Sequence, residues 1–242
     1  MDMEIFSFSR LSLYESCPYR FYKKYVEGYE EPITYPLALG KGVHKGIEKK
    51  LNGRSDKEAI TSAIIEAEFH PEVTKKELSY LIKNAPIHQI YPNKVEMYFK
   101  IPLSNEENSP YIQGYIDVVG ENFIIDWKTN RVPYDVTENN QIGLYAWALK
   151  QLTGIDEVYG SLYFLRFKKE SKFLYTVKEM EKARLWAYNL AKDIQSKLSL
   201  VKGMPELKDD LFPATPTNNC SHCTFALECF RKFSPVAKSI NE

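Results

Sequence analysis

The stretch Gly114-Tyr-Ile-Asp117-Val-Val-Gly120-Glu-Asn-Phe-Ile-Ile-Asp126-Trp-Lys128 reads as two short strands joined by a tight turn. Its apolar residues are mostly β-branched or aromatic, and either Gly120-Glu121 or Glu121-Asn122 supplies a two-residue turn. In both registers the period of two along a strand puts Asp117 and Asp126 on one face. One register sets them directly opposite, with Cβ atoms roughly 5 Å apart; the other makes them diagonal neighbours at roughly 7–8 Å. Lys128, two residues beyond Asp126, shares that face. Two carboxylates buried side by side repel each other, and each loses its hydration. A divalent cation relieves both costs. Mg²⁺ or Mn²⁺ takes oxygen ligands, keeps several waters and accepts a substrate phosphate as a further ligand. A neighbouring lysine can orient the attacking water or offset charge on phosphorus. An isolated Asp-x-Lys is usually a surface ion pair, and what lifts this one is the flanking of Asp117 by Ile116 and Val118.

Working outward, the segment Lys94 to Leu103 continues the strand pattern upstream, with Tyr111 to Val119 and Asn122 to Lys128 forming the hairpin arms. Before it the apolar spacing is helical. Ser7 to Tyr25 opens the chain with Ser9 as N-cap, and Pro18 bends or restarts that helix. Ala38 to Leu51 carries Val43, Ile47 and Leu51 at core spacing. Ser55 to Phe69 carries Ala59, Ile60, Ala63, Ile64 and Ala67 on one stripe, and Glu72 to Lys83 is a shorter helix between Pro71 and Pro86. After the hairpin, Thr137 to Leu152 is helical, Val158 to Phe167 and Lys172 to Val177 form a further hairpin, and Glu179 to Leu200 is a long helix. Helices followed by a mostly antiparallel sheet with a helix inserted predict an α/β fold with a mixed sheet.

Composition sets wider limits. A chain of 242 residues with 44% hydrophobic and 26% charged residues can bury an ordinary core. Its 32 basic and 32 acidic residues cancel, so net charge neither favours nor excludes a nucleic-acid partner. The aromatic share of 14% includes 17 Tyr, enough for rings on which bases could stack as well as for a core. Arg166, Lys168, Lys169 and Lys172 form the densest basic run, which fits either a phosphate-contacting strand end or a solvated edge kept from pairing. No apolar run approaches the ~18 residues of a membrane span, and no secretory leader opens the sequence. A cytoplasmic protein with reduced thiols is expected.

Only four cysteines occur, Cys17 near the start and Cys220, Cys223 and Cys229 in a C-x₂-C-x₅-C run near the end. The spacing suits a metal held by thiolates, either Zn²⁺ or an iron–sulfur cluster, and His222 is a possible substitute ligand for zinc.

Taken together these segments resemble a known family. Gly40-Lys-Gly42-Val-His44, Gly114-Tyr-Ile-Asp117, Asp126-Trp-Lys128 and Gln141-Ile-Gly-Leu-Tyr145 are similar, in that order, to the motifs of the RecB-like branch of the PD-(D/E)XK nucleases. The opening from Phe8-Ser9 through Tyr14, Cys17-Pro18 and Tyr22 looks like the entry segment of its cysteine-bearing members. These include AddB-type helicase–nucleases and CRISPR-associated RecB-family exonucleases. The resemblance implies a restriction-endonuclease-like core that cleaves DNA, most simply as an exonuclease. It implies His44, Asp117, Asp126 and the Trp127 carbonyl as metal ligands, and Lys128 as the catalytic lysine. Gln141 and Tyr145, at i and i+4 of one helix, would contact substrate or support the centre. Glu96 could approach it too, as a solvated or supporting residue. The same resemblance turns the cysteine reading from zinc to a [4Fe–4S] cluster on Cys17, Cys220, Cys223 and Cys229. The implied layout is a nuclease core over 31–200, clasped by a lobe from 1–30 and 201–242. A helicase would be a separate protein, since no phosphate-loop motif occurs in this chain, and the resemblance also implies a CRISPR integrase as a partner. A DNA-end-binding module with weak or lost cleavage is the alternative.

Overall fold

A computed structural model describes residues 3–233. In chain order its elements are β1 (Ile5–Phe6), α1 (Phe8–Ser16), α2 (Pro18–Tyr25), α3 (Tyr35–Leu51), α4 (Asp56–Glu66), α5 (Lys75–Lys83), β2 (Lys94–Pro102), β3 (Tyr111–Val119) and β4 (Phe123–Lys128). They continue with α6 (Gln141–Thr153), β5 (Val158–Phe164), β6 (Lys169–Tyr175), α7 (Val177–Gly203), α8 (Lys208–Leu211) and α9 (Ala226–Phe233). Two compact units share them. One consists of Ile33–Ile101 and Gln113–Trp186; the other takes the described residues before Ile33, Pro102–Ile112, and those from Ala187 onward.

The larger unit is an α/β layer structure. Its strands run in the order β3-β4-β5-β6, with β2 pairing β3. The β3–β4 and β5–β6 pairs are antiparallel, but β4 and β5 are parallel. The sheet is therefore more evenly mixed than the mostly antiparallel one expected. The reason is α6, which intervenes between β4 and β5 and lets the chain cross over and run the same way again. The core cluster joins Leu39, Val43 and Ile47 of α3 and Leu78, Leu81 and Ile82 of α5 to Val118, Ile125 and Trp127 of the sheet. Each such fully buried side chain contributes roughly 1.5–3 kcal/mol of transfer free energy.

Element ends differ from expectation where local polar groups compete. The capping box on α4 is complete, with the Glu58 amide donating to Ser55 Oγ at 3.3 Å and the Ser55 amide to Glu58 Oε2 at 2.9 Å. Helix α3 begins at Tyr35 rather than Ala38 because Pro36, in its first turn, is preset for helix. Helix α6 begins four residues later than the expected Thr137. There Asp135 Oδ1 accepts from the Thr137 amide at 2.9 Å and hydroxyl at 2.6 Å, while the Asp135 amide donates to Glu138. That local turn competes with helix. At its far end Gly154 supplies the left-handed cap, with φ of 81°.

The second unit gathers both ends of the described chain. Strand β1, too short for any periodicity to reveal, pairs in parallel with Tyr111 and Ile112. The N-cap of α1 is Ser7 rather than Ser9, its hydroxyl accepting from the Arg10 amide at 3.3 Å. Tyr14 bonds to Asp193 and accepts from Lys197 at 2.6 Å. The Tyr19 hydroxyl donates to Glu228 at 2.7 Å, and the buried Lys23 ammonium reaches Glu27 at 2.9 Å and Glu228 at 3.0 Å.

Helix α3 closes onto α4 at Gly42, where a Cβ would lie 2.7 Å from the Ala63 carbonyl oxygen and 3.2 Å from the Ala67 Cβ. Gly42→Ala should therefore cost about 1–3 kcal/mol, read in thermal melts as roughly 2–4 °C for each kcal/mol. Gly40→Ala, whose Cβ meets only Thr129 Oγ1 at 3.9 Å, should melt at or above the parent temperature. Equal melting of the two variants would refute the close approach.

Candidate active site

The β3–β4 ladder pairs Val119 with Ile124 and Val118 with Ile125, and the Gly120 amide donates to the Phe123 carbonyl at 2.8 Å. The turn is thus Glu121-Asn122, the register that faces Asp117 with Asp126. At that point the ladder gives way. The Trp127 amide, which a continued ladder would send to the Ile116 carbonyl, donates to Asp117 Oδ2 at 2.7 Å. A backbone donor on a carboxylate fixes its orientation.

His44, on α3, spans the two strands. Its Nδ1 is 3.1 Å from Asp117 Oδ1 and its Nε2 is 2.8 Å from the Trp127 carbonyl oxygen. With an oxygen acceptor at each nitrogen the ring is held as imidazolium. Burial opposes that charge, but the Asp117, Asp126 and Glu96 carboxylates together outweigh it and lift the group from 6.5 to about 9.

Asp126 is held from the other side. Gln141, in the first turn of α6, donates from Nε2 to Asp126 Oδ1 at 2.8 Å and accepts at Oε1 from the Lys128 ammonium at 2.8 Å. The same Nε2 lies 3.3 Å from the Tyr145 hydroxyl. Lys128 Nζ sits 2.7 Å from Asp126 Oδ2, close enough for charge pairing but outside hydrogen-bond geometry. Oδ2 is therefore fully buried with no hydrogen-bond donor among the described residues. Burial, with Asp117 nearby, raises the Asp126 carboxyl above the usual range although Lys128 opposes this. Lys128 itself is raised, since Asp126 outweighs the burial that would lower it. Tyr145 is likewise pushed up, by burial and by Asp126, and its hydroxyl stays protonated.

Glu96 is the residue whose role the alternation pattern hides. Met97 and Phe99 of β2 are buried, so a regular strand would turn Glu96 outward with Tyr98. Its φ of 52° breaks the alternation. A left-handed non-glycine residue costs about 1–3 kcal/mol and is concentrated at functional sites. Ligand atoms of His44, Glu96 and Asp117 lie within 4.8 Å of one another. Burial and Asp117 raise the Glu96 carboxyl to about 7.

One imidazole and carboxylate oxygens form a donor set suited to Mg²⁺ or Mn²⁺. The buried Asp126 carboxylate, whose Oδ2 faces the Lys128 ammonium alone, and the left-handed Glu96 fit a cation there, because a positive charge relieves both burial and mutual repulsion. Of the residues predicted as ligands, His44 and Asp117 share this cluster with Glu96. The Trp127 carbonyl is engaged by His44, and Asp126 by Lys128 and Gln141. Arg166 does not offer itself to a phosphate: its guanidinium bonds Glu77 at 2.8 Å and the Thr129 carbonyl at 2.9 Å.

The four cysteines all belong to the smaller unit and are free thiols. Cys17 is the extended residue between α1 and α2, Cys220 and Cys223 flank a short 3₁₀ turn, and Cys229 is on α9. They line one largely apolar cavity of about 680 Å³ with Tyr19, Pro216, Phe230 and Phe233. Burial, then the other three sulfurs, raises the Cys229 thiol.

A family model described as the PD-(D/E)XK nuclease superfamily matches residues 5–230. Among solved structures, one titled "Crystal structure of SSO0001" aligns over 97% of this chain and 89% of that chain, at 12% identity and a TM-score of 0.45. A search of curated proteins returned no match. Among the described residues, no helix is long and apolar enough to cross a membrane.

The proton inventory gives a test of the metal-free centre. Glu96 and His44 have folded values of about 7 and about 9, raised above 4.5 and 6.5. Groups raised in this way contribute stability that is complete below the unfolded value and lost as pH climbs through the folded one. The melting temperature in EDTA should fall as pH rises from about 5 to 9. Mn²⁺ should restore it most at the upper end, where it no longer competes with those protons. A metal-free melting temperature that rises over that window would refute the assignment.

Proposed function

Since this chain belongs to the PD-(D/E)XK nuclease superfamily, we propose that it is a deoxyribonuclease of the RecB-like type, working as a Mg²⁺- or Mn²⁺-dependent exonuclease. The observation that carries the reading is the buried Asp117–Asp126 pair, with His44 and Glu96 on one side and Lys128 and Gln141 on the other. The reaction joins a water oxygen to phosphorus and breaks the bond to one bridging ester oxygen, which leaves with a proton. His44, Glu96 and Asp117, with Asp126 beside them, would hold a divalent cation, which would supply positive charge for the phosphate oxygens and lower the pKa of water.

This chain's own residues supply the rest. The Trp127 amide holds Asp117 in one orientation, so its remaining lone pairs converge with those of Glu96. Lys128 keeps its charge and is steered by the Gln141 amide, which leaves an ammonium proton for the attacking water or a non-bridging phosphate oxygen. Tyr145, protonated and near Gln141, anchors that amide. The catalytic group is thus Lys128, with Gln141 and Tyr145 positioning it.

The reading extends to a [4Fe–4S] cluster on Cys17, Cys220, Cys223 and Cys229. The four thiols line one cavity of the smaller unit, which suits thiolate ligation of a single group, and the preference for the cluster over zinc rests on the order of the sequence motifs. The two chain ends would then form one lobe. A helicase or CRISPR integrase partner, and a role in DNA repair or CRISPR adaptation, rest on the order of the sequence motifs alone.

End-labelled single- and double-stranded DNA incubated with Mn²⁺, Mg²⁺ or EDTA tests the enzyme. Cleavage should require metal, and Asp126→Ala or Lys128→Ala should reduce it at least about a hundredfold with the fold intact by circular dichroism. Full activity in either variant would remove the site assignment. DNA binding without cleavage would favour the end-binding module. Purified under nitrogen, the protein should hold four iron and four acid-labile sulfide per chain; one zinc instead would overturn the cluster.

A further inference from the structure

The centre opens into a recess of about 440 Å³ whose lining includes Leu37, Lys41 and Lys45 of α3 and Tyr115 of β3, beside His44 and Asp117. Tyr115 is 57% exposed and Tyr98, on β2, is 49% exposed. Their rings form a tilted pair with centroids 5.1 Å apart, and the Tyr98 hydroxyl donates to Gln113 at 3.0 Å, which anchors that ring. Tyr115 stands two residues before Asp117, roughly 7 Å along the strand, within one nucleotide's reach of the centre.

We infer that Tyr98 and Tyr115 form a stacking platform for an unpaired nucleobase of single-stranded DNA, next to the cleavage centre. The inference rests on the nuclease reading and adds to it the form of the substrate at the cut. Three features point to a nucleotide rather than an apolar ligand. Aromatic faces open to solvent beside a phosphate-accepting centre are the pattern of single-strand grooves. Lys41 and Lys45 lie one helical turn apart, so they present two cations to the same recess. Their partners, Glu68 and Glu48 at 2.6 Å each, make partly exposed pairs that a phosphate can replace. Bases inside a duplex are stacked on one another and cannot reach the ring pair.

The competing account is a cross-strand aromatic pair that only stabilises the sheet. It predicts changes in melting and none in base contact. An oligonucleotide carrying one 2-aminopurine, titrated in EDTA, separates the two. The free chain should show saturable quenching with the wild-type protein, and annealing its complement should abolish that quenching. Tyr115→Phe should bind within about twofold of wild type, while Tyr115→Leu and Tyr98→Leu should weaken binding roughly five- to a hundredfold. In Mn²⁺ the leucine variants should raise KM on single strands more than they lower kcat.

Absence of quenching with the wild-type protein, or leucine variants that bind as it does, overturns the platform. Should a leucine variant fail to fold, the wild-type comparison of single strand with duplex still decides. Quenching without metal-dependent cleavage would leave the platform standing and remove the nuclease reading. Cleavage without quenching would do the reverse.

Discussion

Everything at the centre is arranged around the cost of burying two carboxylates side by side. Asp117 and Asp126 are 6% and 4% exposed, deep enough that water cannot neutralise them. The sheet alone cannot bear that arrangement, and the ladder yields where they meet, giving a backbone amide to Asp117. The flanking helices supply the remainder: His44 from α3 on one side, Gln141 from α6 on the other. The helices are therefore constrained by chemistry as well as by packing. His44 lies between Gly42 and Gly46, two residues whose missing side chains let α3 settle against α4 and α5. The glycines set the depth of the helix, and that depth sets the reach of the imidazole.

The same balance explains why the centre holds protons in the absence of a cation. Three acids face one lysine and one histidine, and the deficit of positive charge is met by raising the His44 imidazole and the Glu96 and Asp126 carboxyls above their ordinary values. Charge neutrality across the whole chain conceals this local imbalance, which is why the overall count of 32 acidic and 32 basic residues was silent about function.

How far the sequence could be read follows from what each residue depends on. The facing of Asp117, Asp126 and Lys128 was legible because a period of two along short strands leaves no freedom, and the turn chemistry reduced the register to two choices. The mixed sheet was legible from the switch of period, but not its parallel β4–β5 pair, which depends on how α6 returns the chain. Glu96 was noticed only as a neighbour, since its approach to Asp117 relies on a left-handed residue that no alternation pattern encodes. Strand β1 holds two residues, too few to carry a period. Arg166 looked available because Glu77 stands 89 residues away in sequence, and only the fold brings them together. Helix α6 began late for a local reason that composition did contain: the Asp135 and Glu138 side chains accept from the Thr137 and Asp135 amides and hold a turn where a helix was expected.

The smaller unit carries a consequence for synthesis. Two of its polar ties, Tyr19 to Glu228 and Lys23 to Glu228, join segments separated by about 200 residues. On a ribosome adding ~5–20 residues per second, the first partner emerges some 10–40 s before the second exists. Through that interval Tyr14, Phe21 and Tyr22, buried in the finished protein, have no companions from the far end of the chain. The early segment, whose helices have nine and eight residues, is too short to hold them by itself in that interval. Any group held by all four thiols can be loaded only once Cys229 has been synthesised.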